Sequence, residues 1–173
     1  MKFAIYRFPY GFLKIGYKGE TLKLLKRTDK TIDDDKKTDF TDLVYKEIIE
    51  YLHGQRTSFD IPYELEGTDF QKKVWKELIR IPYGQTRTYK DIASAIGNKN
   101  ASRAVGMANN KNPLMIIVPC HRVIGTNAKL VGYAGGLDMK KDLLDLEQRV
   151  KGIQNKNIAF INKSITNIED LYL

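Results

Sequence analysis

The sequence predicts an α/β protein in two parts, a small sheet with one helix followed by a mainly helical part. Short alternating apolar stretches separated by turn residues open the chain, and apolar residues at helical spacing dominate after residue 67. Hydrophobic residues make up 42% of the 173 residues, which is enough for a packed core. We expect domains at 1–65 and 66–150, followed by a tail of unknown role at 151–173.

Strands are expected first, because alternating apolar residues at 3–8 and 12–15 flank the turn signal Pro9-Tyr10-Gly11. Thr21–Leu25 fits a third strand of the same sheet. Residues 28–39 are too polar to be buried and predict a loop.

A helix against this sheet is expected from Phe40 to Tyr51, where apolar residues recur at helical spacing and Gly54 supplies a stop. No residue of this first part indicates chemistry. His53, near the helix end, is interpreted as a surface or capping residue.

The second part opens with a capping-box pattern, Thr68 followed by Gln71, and the helix that it begins runs to the break at 82–84. Thr88 and Asp91 repeat the pattern less well, because aspartate replaces the usual glutamate or glutamine. They predict a second, short helix.

A further short helix fits Ala101–Asn110, with Ala104, Val105 and Ala108 turned inward. Since Gly97 lies in the connection, the two short helices have the layout of a helix-turn-helix. Any two small helices can show this layout, so the pattern is a weak signal that the basic surroundings strengthen.

The apolar run Leu114–Val118 predicts a buried extended segment that delivers the chain to Pro119-Cys120-His121-Arg122. A glycine-rich loop at 132–136 then leads to a last helix at 138–150. Apolar residues within 151–173 leave open an extra packed element.

The charge is distributed unevenly along the chain. Residues 1–66 contain 12 basic and 12 acidic residues, whereas 67–150 contain 14 and 7. A positive second part beside a neutral first part favours a polyanion partner, and nucleic acid in particular, over charge that serves solubility alone.

One cysteine and two histidines exclude an internal disulfide and a cysteine-rich zinc site, and their spacing indicates no other metal site. No apolar run approaches the ~18 residues of a membrane span, and the first residues lack the apolar stretch of a signal peptide. We therefore expect a cytoplasmic protein, nuclear in a eukaryote, without membrane contact, metal or cofactor.

Cys120 is the strong candidate for a nucleophile. The thiolate is the reactive form, and the adjacent His121 is the usual kind of base that generates it. A direct hydrogen bond between the two or a bridging water would serve, and Glu147 is a candidate carboxylate to orient the imidazole. The alternative is a small core cysteine, but ionisable neighbours are costly to bury without a purpose.

The run Ile116–Ile124, with Pro119-Cys120-His121-Arg122 at its centre, resembles the active-site signature of the O6-alkylguanine-DNA alkyltransferases. The resemblance is strong over 68–150, whereas 1–66 match only in general layout and 151–173 are not covered. Further matching positions, in the family's order and spacing, are Tyr83-Gly84, Thr88-Tyr89, Ile92-Ala93, Ser102–Gly106, Asn112-Pro113, Gly132–Leu137 and Glu147.

The resemblance implies a ribonuclease H-like first domain and a winged helix-turn-helix-like second domain. It implies DNA repair, in which an alkyl group moves irreversibly from O6 of guanine to Cys120 after the nucleotide has left the base stack. The implied partner is double-stranded DNA carrying O6-alkylguanine, and a monomer is expected. Activity on O4-alkylthymine is left open.

The resemblance also implies roles for individual residues. His121 and Glu147 form a relay to Cys120 through a water, Asn112 braces the active-site loop, and Tyr89 rotates the nucleotide and assists the purine as leaving group. Arg103 enters the base stack. The implied DNA contacts are Tyr89, Ser102, Arg103, Ala104, Gly106 and Arg122, and the implied pocket residues are Val123, Tyr133, Ala134, Gly135 and Gly136.

Simpler interpretations exist for several of these residues. Tyr89 fits a surface aromatic, Arg103 a phosphate contact, Asn112 a helix terminator and Tyr133 a turn residue. Some family members also carry serine where Ala134 stands, which here would leave only backbone groups to contact the lesion oxygen. Others bind zinc in the first domain, a site that needs cysteines absent before Cys120.

Three rival functions remain at this point. A non-catalytic binder of alkylated DNA would not need Cys120. A helix-turn-helix regulator would be expected to form a dimer and to prefer a sequence. A cysteine hydrolase would need turnover and an oxyanion hole.

Overall fold

The computed structural model describes residues 1–126, 129 and 131–169, with side chains to residue 156. It contains three strands and a helix, then a mainly helical part with a short two-stranded ladder. The elements are β1 (Lys2–Phe8), β2 (Gly11–Lys18), β3 (Thr21–Thr28), α1 (Asp39–Leu52), α2 (Asp69–Ile79), β4 (Arg87–Thr88), α3 (Tyr89–Ala95), α4 (Ser102–Asn110), a 3₁₀ turn (Cys120–Arg122), β5 (Val123–Ile124) and α5 (Leu137–Glu169).

The three predicted strands form an antiparallel sheet in the order β1-β2-β3, which confirms the prediction for the first part. Phe8 pairs with Gly11 across the first hairpin, and the φ of +106° at Gly11 is one that glycine adopts readily. The third strand runs to Thr28, three residues beyond the predicted end. Val44 and Ile48 of helix α1 belong to the same hydrophobic core as the buried residues of the sheet.

The predicted capping boxes at Thr68 and Thr88 are both present, and each threonine hydroxyl accepts the N–H of the third helical residue. Helices α2, α3 and α4 pack on one another in the predicted helix-turn-helix layout. One detail was wrong, because Ala104 is exposed while Val105 and Ala108 are buried. Asn109 completes the inner face of α4 instead.

Leu114–Val118 is buried apart from the half-buried Ile117, but it is not extended, so this prediction was only half right. Leu114 pairs with Leu25 of β3, and the N–H of Val118 then returns to the carbonyl of Leu114 at 2.9 Å. Ile116 lies at the apex with φ of +71°, a region that costs a β-branched residue energy. The chain therefore reverses in a tight turn immediately before Cys120.

Helix α5 continues through Glu169, well past its predicted end at 150. The only glycine in this extension, Gly152, does not interrupt it, since a single glycine weakens a helix by only ~1 kcal/mol. No helix in the described part of the chain is long and apolar enough to cross a membrane. The proposed boundary near residue 65 lies between α1 and α2 and remains a prediction, because one core cluster includes residues from both parts.

Thr88→Ala should destabilise the protein by about 1 kcal/mol, because the first N–H groups of α3 lose their cap. Calorimetry should show Tm lower by roughly 2–4 °C. Ser94→Ala, an exposed change on the same helix, is the control and should leave Tm within a degree or so of the original. Equal Tm values for the two variants would contradict the assigned cap.

Candidate active site

Asn112 fixes the loop that carries the cysteine. Its side-chain amide donates to the carbonyl of Val118 at 2.9 Å and to Cys120 Sγ at 3.0 Å, while its Oδ1 accepts from the N–H of Leu114 at 2.9 Å. Asn112 is buried, so these bonds form without competition from solvent. The side chain spans the tight turn and holds the sulfur in one position.

Cys120 is 3% exposed and begins the 3₁₀ turn after Pro119. Burial raises the pKa of its thiol to about 11, although the Asn112 hydrogen bond and the charge of Lys140 act in the opposite direction. At neutral pH the resting group is therefore a thiol. A proton acceptor is needed before the sulfur becomes a strong nucleophile.

His121 and Glu147 form a buried pair behind the cysteine, with His121 Nε2 at 2.8 Å from Glu147 Oε1. Burial lowers the pKa of His121, and the hydrogen bond and charge of Glu147 only partly offset this. The neutral imidazole then donates through Nε2–H, which leaves the Nδ1 lone pair as an acceptor. Nδ1 is buried without a hydrogen-bond partner in the described residues, and no direct bond joins it to Cys120.

Glu147 accepts hydrogen bonds from four groups. Besides His121, these are Arg122 at 2.8–3.0 Å, the N–H of Gly84 at 3.0 Å and the hydroxyl of Tyr51. Burial alone would raise the pKa of this carboxyl, but His121 and Arg122 outweigh it and hold the pKa well below its usual range. Glu147 is thus a permanent carboxylate at neutral pH.

Arg122 was expected to contact DNA, and the structure contradicts this. The residue is 7% exposed, and its guanidinium donates to Glu147 and to the carbonyl of Ile81 at 2.8 Å. A guanidinium turned inward and bonded on both sides cannot reach a phosphate. Arg122 instead neutralises the buried carboxylate.

Cys120 borders a cavity of about 40 Å³. Tyr133, Ala134 and Gly135 line it as expected. Its remaining lining residues are Lys26, Arg27, Asn112 and Met115. A cavity of this size admits a water molecule and not a purine, so a base can enter only if the wall moves.

Two predicted pocket residues fall outside this lining. Val123 is fully buried and pairs with Arg87 in the two-stranded ladder. Gly136 lies behind the lining, where an added Cβ would come within 3.0 Å of the Arg27 guanidinium. Neither residue lines this cavity, and their place in a pocket wide enough for a base stays a prediction.

The residues expected to contact DNA lie mainly on α3 and α4. Arg103 and Ala104 are exposed, and Ser102 and Gly106 are half-buried. The Tyr89 ring lies beside Gly106, where an added Cβ would be 3.7 Å from the ring, and its hydroxyl donates to the carbonyl of Val131 at 2.9 Å. Tyr89 therefore connects α4 to the loop that precedes the pocket.

Comparison with known proteins now identifies the family. A family model described as 6-O-methylguanine DNA methyltransferase, DNA binding domain, matches residues 69–149. A methylated-DNA–protein-cysteine methyltransferase of Mycolicibacterium paratuberculosis is 44% identical over 147 residues, which are 82% of this chain and 88% of that protein. The chain belongs to the methylated-DNA–protein-cysteine methyltransferase family.

Other members of the methyltransferase family agree. The protein of that name from Methanosarcina acetivorans is 51% identical over 102 residues, which are 59% of this chain and only 65% of that protein's length. The crystal structure of Mycobacterium tuberculosis O6-methylguanine methyltransferase, 42% identical, superposes with a TM-score of 0.78 over 86% of this chain and 93% of that one. The same M. tuberculosis protein in complex with DNA gives a TM-score of 0.80 over 87% and 94%.

Sequence reasoning missed Lys140. This buried residue of the methyltransferase-like site donates from Nζ to the carbonyls of Val123 at 2.5 Å and Val131 at 3.0 Å. Burial lowers the pKa of its ammonium to about 8, while the charge of Cys120 favours the ammonium. A signal was present, since Lys140 shares a helical face with Leu143 and Glu147 at spacings of three and seven.

No residue of the first part indicated chemistry, yet three of its residues lie at the site. Tyr51 of α1 contacts both His121 and Glu147, and Lys26 and Arg27 of β3 line the cavity. Arg27 Nη1 also donates to the carbonyl of Gly135 at 2.6 Å. No local pattern marks these residues, because they meet the site only through the packing of the two parts.

The Cys120 side chain should remain a thiol between pH 6 and 9 in the DNA-free protein, because burial raises its pKa to about 11. Since the chain has a single cysteine, incorporation of cysteine labelled at ¹³Cβ gives one NMR signal that reports on it alone. The same signal in denaturant is the control and should titrate near 8.5. A midpoint below 9 in the folded protein would contradict the assigned environment.

Proposed function

We propose that this protein repairs double-stranded DNA by moving an alkyl group from O6 of guanine onto Cys120. The observation that carries the proposal is the placement of the chain's single cysteine at a cavity, with Asn112 on its sulfur and the His121–Glu147 pair behind it. Membership of the methyltransferase family supports the same reaction.

The reaction begins with removal of the thiol proton. The unpartnered Nδ1 of His121 accepts it through a bridging water, and Glu147 stabilises the imidazolium that results. Lys140 places a positive charge near the sulfur and stabilises the thiolate. The positive charge of Lys140 favours deprotonation of Cys120, which burial of the thiol opposes.

Sγ then attacks the alkyl carbon in line with the C–O6 bond. The new S–C bond forms as the C–O6 bond breaks, and the electron pair of that bond passes to the guanine. Tyr89 donates a hydrogen bond to the purine as charge develops on it, and the proton taken from Cys120 passes from His121 through water to the purine, which becomes ordinary guanine within the DNA. The product at Cys120 is a thioether, and no side chain in the described site can reverse it, so each molecule acts once.

The nucleotide must leave the duplex, because O6 lies on the major-groove edge of a stacked base and in-line attack needs the sulfur behind the alkyl carbon. Unstacking costs a few kcal/mol. Arg103, exposed on α4, fills the vacated space in the base stack. Residues 67–150 contain 14 basic and 7 acidic residues, and this net positive charge attracts the phosphates. We place this activity with the DNA of the cytoplasm or nucleus.

Intact mass spectrometry is the direct test. Mixed with duplex DNA containing one O6-methylguanine, the protein should gain a single methyl group on Cys120, with an equal loss of lesion and no further turnover. Cys120→Ser should bind the DNA without gaining mass. Tight lesion binding by an unmodified wild-type protein would favour a non-catalytic binder. Turnover beyond one equivalent would favour a hydrolase. If the protein neither gains the methyl group nor binds the lesion, the proposal is rejected.

Lys140→Met should lower the single-turnover rate of methyl transfer roughly 100-fold, as expected when an electrostatic stabiliser of the developing charge is removed. Methionine retains the length of the side chain without the ammonium. Lys141→Met is the matched control, because Lys141 is exposed and, among the described residues, its ion pair is with Asp145, at 2.6 Å. Equal rates for the two variants would show that Lys140 has no part in the reaction.

A further inference from the structure

Tyr51 is a fully buried tyrosine of the first domain whose hydroxyl lies within the relay of the second. The hydroxyl donates to Glu147 Oε1 and lies 3.3 Å from His121 Nε2. Its ring is held by Phe59, at 5.4 Å between centroids, and by the edge of Tyr83 at 6.0 Å. The phenol is therefore fixed at the point where imidazole and carboxylate meet.

The proton of this phenol stays on Tyr51 throughout the working pH range. Burial, and then the charge and hydrogen bond of Glu147, raise the pKa of Tyr51 well above its usual value. The hydroxyl is thus a permanent donor to the oxygen that also accepts from His121. Tyr51 and His121 share Glu147 Oε1 as acceptor, so the hydrogen bond from each donor weakens the one from the other.

The charged and titratable groups around the relay come from several elements. Tyr51 belongs to α1, Tyr83 to the turn after α2, and Cys120 and Arg122 to the 3₁₀ turn. Glu147 and Lys140 belong to α5. Tyr51, Arg122 and His121 all donate to Glu147 Oε1. Among these three donors, Tyr51 comes from the first part of the chain and is neutral.

We propose that Tyr51 is a positioning residue that sets the basicity of His121 by sharing the Glu147 oxygen with it. A proton acceptor must be neutral when the reaction begins. Without the Tyr51 hydrogen bond, Glu147 would stabilise the imidazolium more strongly. The pKa of His121 would then be higher, and the base would still carry a proton at a pH where it is now neutral. Burial is the main cause of the lowered His121 pKa, and the competing hydrogen bond of Tyr51 adds to it by weakening the support that Glu147 gives to the imidazolium. This inference rests on the proposed alkyl transfer through Cys120 and His121.

Tyr51→Phe tests this directly, because it removes the hydroxyl and keeps the ring. The His121 pKa should rise by about half a unit to one unit, the range expected for loss of one hydrogen bond. Imidazole ¹H–¹⁵N NMR measures this without any substrate. The chain has only two histidines, so a His53→Gln background leaves His121 as the single signal.

The rate of methyl transfer supplies the second readout. In single-turnover reactions from pH 5 to 9 on duplex DNA containing O6-methylguanine, the acid limb of the Tyr51→Phe profile should move to higher pH by the same amount. Tyr83→Phe is the matched control, since Tyr83 packs on Tyr51 but its buried hydroxyl has no partner in the described residues. Its profile should coincide with that of the wild type.

A lower rate with unchanged midpoints in both measurements would overturn the proposal and reduce Tyr51 to a packing residue. If Tyr51→Phe does not fold, site-specific 3,5-difluorotyrosine at position 51 keeps the shape and strengthens the donor. It should lower the His121 pKa, and a rise or no change would equally overturn the proposal. Failure of the wild type to methylate Cys120 would instead reject the proposed function, since the NMR titration does not depend on it.

Discussion

The buried carboxylate of Glu147 is the constraint on which the rest of the site depends. A charge without solvent requires compensation from several directions, and Glu147 obtains it from His121, Arg122, Tyr51 and the backbone of Gly84. These donors come from α1, the turn after α2 and the 3₁₀ turn. The carboxylate that orients the base therefore also fixes three segments of the chain relative to α5, so the chemistry and the fold share one set of hydrogen bonds.

A second constraint is the tight turn before Cys120. The turn places Ile116 at a positive φ, and the side chain of Asn112 bonds its backbone at Leu114 and Val118 before it reaches the sulfur. A flexible loop would not hold a thiol in line with a bond about to break, and position is a large part of such a reaction. The strain at Ile116 is maintained by burial of its side chain and by the asparagine bonds.

The electrostatics of the site make reactivity conditional. Burial keeps the Cys120 thiol protonated and His121 neutral. Lys140 favours the thiolate of Cys120, and Glu147 favours the imidazolium of His121. The ion pair forms only when the proton moves between them. A buried, protonated thiol of this kind is protected from unwanted reactions, which would suit the single-use transfer that we propose.

The sequence by itself determined the order of strands and helices, the capping boxes of α2 and α3, and the choice of Cys120 as the candidate nucleophile. Each of these depends on short-range pattern, either local hydrogen bonding as at Thr68 and Thr88 or a contiguous motif as around Cys120. The apolar pattern also predicted the last helix, at 138–150. It did not reveal that Gly152 leaves this helix unbroken, because a single weak residue does not decide a helix end.

Only the tertiary structure decided which side chains face the cysteine. Arg122 turns inward to Glu147, although the family resemblance implied a contact to DNA. Tyr51 and Arg27 reach the site from the first domain, although more than 90 residues separate each from its partner. Sequence patterns report which face of an element is apolar. They do not report what a long polar side chain meets across an interface, because that depends on how separately formed elements pack together.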